Sequence, residues 1–366
     1  MDRRRTFRSF RVAASASLLA STLIAQPSPF VPTRKITKLG EGVYEIQHPD
    51  SLPDFPEGNT TVVIGTESVF VVDAGYLPST TAADITQIHQ WTDRPVRYLM
   101  LTHGHTDHTT GTGAYVRAFP GLTVVAHRET RNLMARYTPG YAALFTAKTE
   151  QLQKAFDAGL DDDGKPLTAE TRDKMTRELE ARKAAGEQFR TKMGENPLPD
   201  FLIDGGTTTF DLGGRDVDVK FLGRGNTAGD LVAFIPRERI AVVGDILVHP
   251  LPYTCSGFPV DWVTTLDNVA ALSPAAIVPG HGEVLRDLVY LRTIQDMLRT
   301  AVRQVDSIFQ QIPGGGQSSL EAAQKAVNLD AFRDRIPARD QYNRDFFGRN
   351  VPNCIARNVY EQLAPR

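Results

Sequence analysis

Cysteine is nearly absent, with 2 residues in 366, Cys255 and Cys354. That count excludes a zinc centre built on four thiolates, and sequence alone leaves open whether the two lie close enough to pair. An excess of one charge is missing as well. The 41 basic and 43 acidic side chains leave a formal charge of -2, which gives no footprint for nucleic acid or for an acidic partner. No membrane span is expected, because the mildly apolar run at residues 12 to 25 falls short of the roughly 20 residues needed. There is no Gly-x-Ser-x-Gly elbow, no Gly-rich phosphate loop ending in Lys-Ser or Lys-Thr, and no internal repeat.

Arg3, Arg4, Arg5, Arg8 and Arg11 precede that short apolar run. This is the layout of a secretory signal covering residues 1–25, with cleavage after Ala25, and a membrane anchor is the competing reading. Arg4-Arg5-Thr6-Phe7 also fits the twin-arginine pattern for export of folded proteins. The mature protein is therefore expected to be periplasmic or secreted.

Short strand-like runs begin at Val43–Ile46 and continue at Thr60–Ile64 and Val69–Val72. Helical spacing at Thr80–Trp91, a strand at Val96–Leu101 and another at Leu122–Ala126 follow, the alternation of a layered α/β protein. From 128 to 197 the texture turns charged and Ala-rich, which predicts a helical insertion with Thr168 as an N-cap, able to act as a lid or a dimer arm. Strands resume between Thr207 and Val243. Apolar residues at Leu291, Ile294, Leu298, Ala301, Val305 and Ile308 then mark one face of a long helix. The expected organisation is a strand-rich core domain over 26–285, interrupted by the insertion, and a helical extension over 286–366.

His103-Gly104-His105-Thr106-Asp107-His108 carries most of the information. Three of the chain's 8 histidines fall within six residues, directly after a predicted strand. Imidazole nitrogen with carboxylate oxygen suits zinc or another borderline transition metal. Four further segments end strands with glycine beside a potential ligand: Val72-Asp73-Ala74-Gly75, Gly225 to Asp230, Val243-Gly244-Asp245 and Pro279-Gly280-His281-Gly282. Each is weak alone, but glycine there permits turns that aim several loops at one point.

In this order and spacing the segments resemble the five motifs of the metallo-β-lactamase superfamily, over roughly Val43 to Val284. The resemblance implies an α/β fold, the four-layer αβ/βα sandwich with a metal site at the sheet edge. It implies that His103 and His105 bind a first zinc ion, and Asp107, His108 and His281 a second. Asp245 would bridge them, and Asp73 would orient the histidine loop. One position departs from the pattern, because Asn226 stands where the family usually has histidine. A neutral amide oxygen is a poor zinc ligand, so Asn226 either ligates weakly or has left the shell to a water. One or two zinc ions are expected, the second site being the tighter.

The chemistry implied is attack by a zinc-bound hydroxide on an ester, lactone, thioester or β-lactam amide. Zinc lowers the pKa of its water from ~15.7 to about 7, and Asp107 would orient the nucleophile and shuttle its proton. The substrate is a small molecule, and His249, Tyr253 and Trp262 are candidates for the pocket wall. A periplasmic β-lactamase proper and a non-catalytic metal-binding module are the alternatives.

Overall fold

The computed structural model describes residues 34–48, 52, 57–161, 164–311, 317–336 and 341–364. The expected signal segment, 1–25, lies outside them. Among the described residues, twelve strands fall into two sheets. The first runs in the order β1 (Lys35–Gly40), β2 (Val43–Gln47), β3 (Thr60–Ile64), β4 (Val69–Val72), β5 (Val96–Met100), β6 (Thr123–Ala126) and β7 (Phe201–Leu202). Its first four strands pair antiparallel and β4 to β7 pair parallel. The second sheet contains β8 (Thr207–Asp211), β9 (Asp216–Phe221), β10 (Leu231–Ile235), β11 (Ile240–Val248) and β12 (Ala276–His281). There β12 alone pairs in parallel, against β11.

Alternation along the strands explains the layering. In β4, Phe70 and Val72 point into the core between the sheets, where they meet Val217, Val219, Val242 and Val278. Val69 and Val71 point to the opposite face, onto Ile88 of α1 (Pro78–Trp91) and Tyr115 of α3 (Thr112–Ala118). Both faces of the strand are buried, so it reads as an unbroken apolar run. In β11 the alternation repeats, with Ile240 and Val242 inward and Ala241 and Val243 outward. The result is a four-layer αβ/βα sandwich. β1 and β7 were not expected from the sequence. The first is a half-exposed edge with lysine at positions 35 and 38, the second only two residues long.

The segment 128–197 folds as α4 (Arg128–Tyr137), α5 (Tyr141–Asp157) and α6 (Ala169–Lys192). Thr168 caps α6 through a reciprocal hydrogen-bond pair with Thr171. Phe145 and Phe189 from these helices pack on Tyr76 and Leu77 of the sandwich. After β12 come α8 (Val289–Gln311), α9 (Gln317–Ala326), α10 (Asp330–Arg333) and α11 (Gln341–Leu363). Leu291, Ile294 and Leu298 of α8 share one core with Leu266 and Val269 of α7 (Pro259–Ala271), and with Val351, Ile355 and Val359 of α11. The C-terminal helices therefore complete the outer layer over the second sheet. Cys255 and Cys354 form a disulfide that ties α11 to the loop between β11 and α7. Among the described residues, no helix is long and apolar enough to cross a membrane.

Candidate metal centre

Four segments converge at one edge of the two sheets. β5 delivers His103 and His105, and the single turn α2 (Thr106–Thr109) delivers Asp107 and His108. β11 carries Asp245 within its length, and β12 ends on His281. Two donor groups result: His103, His105 and Asp245 in one, and Asp107, His108 and His281 in the other. Asp245 reaches both. Its Oδ2 lies 3.5 Å from His103 Nε2 and 3.8 Å from His105 Nδ1, while Oδ1 lies 3.3 Å from both His108 Nε2 and His281 Nε2. Asp107 Oδ2 completes the second group, 3.1 Å from His281 Nε2 and 3.4 Å from His108 Nε2.

The hydrogen-bond partners behind the rings decide what the centre holds. His108 Nδ1 faces the Asp73 carboxylate at 2.8 Å and His281 Nδ1 faces the Glu57 carbonyl at 3.1 Å. Both partners only accept, so both Nδ1 atoms carry the proton. Thr102 Oγ1 donates to Asp73 at 2.8 Å and therefore accepts from His103 Nδ1 at 3.0 Å. That assignment leaves each Nε2 with a lone pair aimed at the centre. His108 Nε2 and His281 Nε2 then face one another at 3.2 Å with no proton between them, and the buried Asp245 Oδ1 has no hydrogen-bond donor. Converging lone pairs and carboxylate oxygens repel unless a cation lies among them. The donor set fits one or two divalent ions with nitrogen and oxygen preference.

Protons are the competing cations. Burial disfavours charge on His108, yet the carboxylates of Asp107, Asp73 and Asp245 outweigh it and raise that imidazole well above its usual range. His281, likewise buried against Asp245 and Asp107, is raised to about 9. Burial and the nearby His108 push His103 the other way, to about 4. Asp245, despite burial, is held well below the carboxylate range by His281, His103 and His108.

Close backbone approach is needed at two glycines. A Cβ on Gly280 would sit 2.0 Å from Asp245 Oδ1, and one on Gly58 would sit 2.6 Å from His108 Cε1. Asp73 adopts φ 63°, a left-handed conformation rare outside glycine. It is held by accepting the Thr102 N–H at 2.7 Å while its other oxygen receives His108. The loop of residues 225 to 230 is pinned by Asp230, whose carboxylate accepts from Gly225 N, Thr227 N and Thr227 Oγ1. Burial raises that carboxyl to about 7.

Matching the profile of the metallo-β-lactamase superfamily over residues 53–281 decides the family. The chain belongs to the metallo-β-lactamase superfamily. A linear primary-alkylsulfatase from Pseudomonas sp. (strain ATCC 19151) is 23% identical over 306 residues, which are 81% of this chain and 53% of that protein. The chain thus spans about half the length of this curated relative. Among solved structures, a metallo-β-lactamase from Pontibacter korlensis superposes with a TM-score of 0.52 at 19% identity, covering 73% of this chain and 99% of that one. The DIM-1 metallo-β-lactamase gives 0.51 at 18%, covering 74% and 99%. Identities this low show a shared fold.

Not every candidate from the sequence sits where expected. Asn226 is buried in the 225–230 loop, but its amide turns to the backbone of Tyr253 and to Ser256. The amide is engaged by residues 253 and 256, an arrangement that agrees with the alternative in which Asn226 stands outside the shell. Trp262 is a core residue, buried with its indole N–H donating to the Ile246 carbonyl at 3.1 Å. It does not line a pocket. His249 packs edge-on against Tyr290 at 4.9 Å and joins neither donor group, although its N–H donates to the His281 carbonyl. Tyr253 does flank the centre, its ring 6.0 Å from that of His105 and 42% exposed.

Sequence reasoning missed the supports behind the second group. Glu57 is fully buried and accepts from Tyr76 N, Leu77 N and Thr80 Oγ1 at the start of α1, while its carbonyl receives His281. Asn59 donates to the carbonyls of Pro279 and Gly282. His48 bridges the Gly58 carbonyl (2.7 Å) and Asp84 (3.0 Å) as a buried imidazolium. Burial opposes that charge, but Asp84 prevails and raises His48 to about 9. These residues are scattered singly along the chain, and no spacing signal could have found them.

Proposed function

We propose that this chain is an exported, divalent-cation-dependent hydrolase that opens an ester-type or amide bond of a small molecule, with a pair of zinc ions as its working cofactor. The observation carrying this reading is the Asp245 carboxylate, whose two oxygens address different donor groups. A purely structural zinc site needs one closed set of four ligands and has no use for a second set around a shared carboxylate. Zinc, when bound, polarises the scissile group and lowers the pKa of a coordinated water toward neutrality.

The chain's own residues do the rest. Asp107 has a side chain 12% exposed, against 0% for His108, and is the carboxylate on the accessible side of the centre. In this reading it would hold the proton released during attack and return it to the leaving group. Tyr253 forms the wall over His105. His105, 27% exposed, marks the opening through which substrate reaches the first group.

Similarity to an alkylsulfatase over most of this chain adds sulfate esters to the lactones, thioesters and β-lactams implied by the motifs. Export is supported by the arginine-led N-terminal segment and by the Cys255–Cys354 disulfide, which persists in oxidising compartments. The test is zinc content at saturation together with turnover of an alkyl sulfate, a lactone, a glutathione thioester and a chromogenic cephalosporin. Turnover of one class by wild type, abolished in Asp107→Ala, supports the reading. Zinc-loaded protein inert toward all four favours a binding module instead.

A further inference from the structure

The four-residue segment Tyr253-Thr254-Cys255-Ser256 is contacted from two sides. Its outer residues hold Asn226: Nδ2 donates to the Tyr253 carbonyl at 3.1 Å, and the single Ser256 Oγ proton is shared between Asn226 O at 3.2 Å and Asn226 Oδ1 at 3.4 Å. Its inner residues are held by α11. Asn358 Nδ2 donates to the Thr254 carbonyl at 2.9 Å, Arg357 Nη2 donates to the Cys255 carbonyl at 3.1 Å, and Cys354 is disulfide-bonded to Cys255. A helix from the far end of the chain thus grips the loop that grips Asn226. Asn226 occupies a fully buried position in the motif where the family carries a ligand. A buried amide keeps whatever partners its surroundings fix. The loop supplies an acceptor for Nδ2, and the single Ser256 hydroxyl proton is shared between the Asn226 carbonyl and Oδ1, which fixes the amide's orientation against residues 253–256.

We propose that α11, acting through residues 253–256, sets the number of protein donors at the first cation by holding the Asn226 amide in its hydrogen bonds to Tyr253 and Ser256. The first group then keeps three donors, His103, His105 and Asp245, and an open position for substrate. Cys354, Arg357 and Asn358 are positioning residues that act through Asn226. The proposal rests on the cation-pair reading above. Loosening the loop frees Asn226 Oδ1 to exchange Ser256 for the metal, which adds a weak neutral donor and tightens the first site.

Full-length protein loaded with Co(II) tests this, because d–d absorbance and chelator competition report each site without any substrate. Asn358→Ala, Cys354→Ser and Ser256→Ala are each made with Asn226 present and in an Asn226→Ala background. Ser256→Ala leaves the helix and its disulfide untouched, so it answers even where the other two fold poorly. With Asn226 present, each is expected to tighten the weaker Co(II) site by about threefold or more and to alter its absorbance, a coupling of the size found for contacting residues. In the Asn226→Ala background the same changes should leave that site unmoved. Equal shifts in both backgrounds overturn the proposal, as does no shift or a weakening with Asn226 present. Wild type that takes up fewer than two Co(II) ions fails the cation-pair reading first, before any variant is compared, and removes this proposal with it.

Discussion

The two donor groups share Asp245 but are built differently. Behind the second, two imidazoles are backed by groups that are themselves fixed: His108 by Asp73, and His281 by the Glu57 carbonyl. Glu57 is anchored on α1, and the adjacent Gly58 is held by the His48–Asp84 pair. The first group has His103 backed by Thr102, but His105 lies partly open and the motif's remaining residue, Asn226, faces elsewhere. A ligand whose far side is fixed cannot relax when the cation leaves, so the second group is preorganised. The first presents the more accessible face.

That contrast can be broken experimentally. Asp245→Ala removes a donor from both groups at once and should erase it. Both cations weaken and turnover falls by about a thousandfold or more, since several kcal/mol of transition-state stabilisation depend on them. Metal analysis with steady-state kinetics checks this.

His48 tests the support of the second group through pH. Its pKa, usually 6.5, is raised to about 9 in the folded chain. The folded state therefore binds the proton more tightly, and the stability so gained is fully present below 6.5. It is lost as pH rises through about 9. His48→Asn should cost a few kcal/mol more stability at pH 6 than at pH 10. Denaturant midpoints of the metal-free proteins at the two pH values give the answer, and a pH-independent cost would contradict the charged pair.

Asp73→Ala separates the groups more finely. Loss of the carboxylate behind His108 should weaken the second site about 10- to 100-fold, with a smaller effect on the first through Thr102. Chelator competition resolves the two. The smallest change is expected from Asn226→His, a stronger ligand on a loop that still holds the position. First-site affinity should rise severalfold, and unchanged stoichiometry and affinity would show that the 225–230 loop is too rigid for the side chain to turn.

Much of the site was legible because metal ligands obey chemistry that sequence displays. His103, His105, Asp107 and His108 stand in one short run, and Asp245 and His281 each adjoin a glycine. Strands such as β4 and β11 were equally visible, being apolar on both faces. The polar edge β1 was not, since Lys35-Ile36-Thr37-Lys38 buries too little to show a pattern. Trp262 misled because an aromatic near a ligand is equally consistent with core and pocket until burial is known.

Residue type and local spacing marked the candidate ligands and determined the layered architecture and the order of helices and strands, because those follow from side-chain chemistry and periodicity within a few residues. Tertiary structure alone decided which way the Asn226 amide turns, that Cys255 meets Cys354 across 99 residues, and that His48, Glu57 and Asp84 stand behind the second group. Such partners come together only through the packing of distant segments, where burial and low dielectric give a single hydrogen bond or ion pair its directing force.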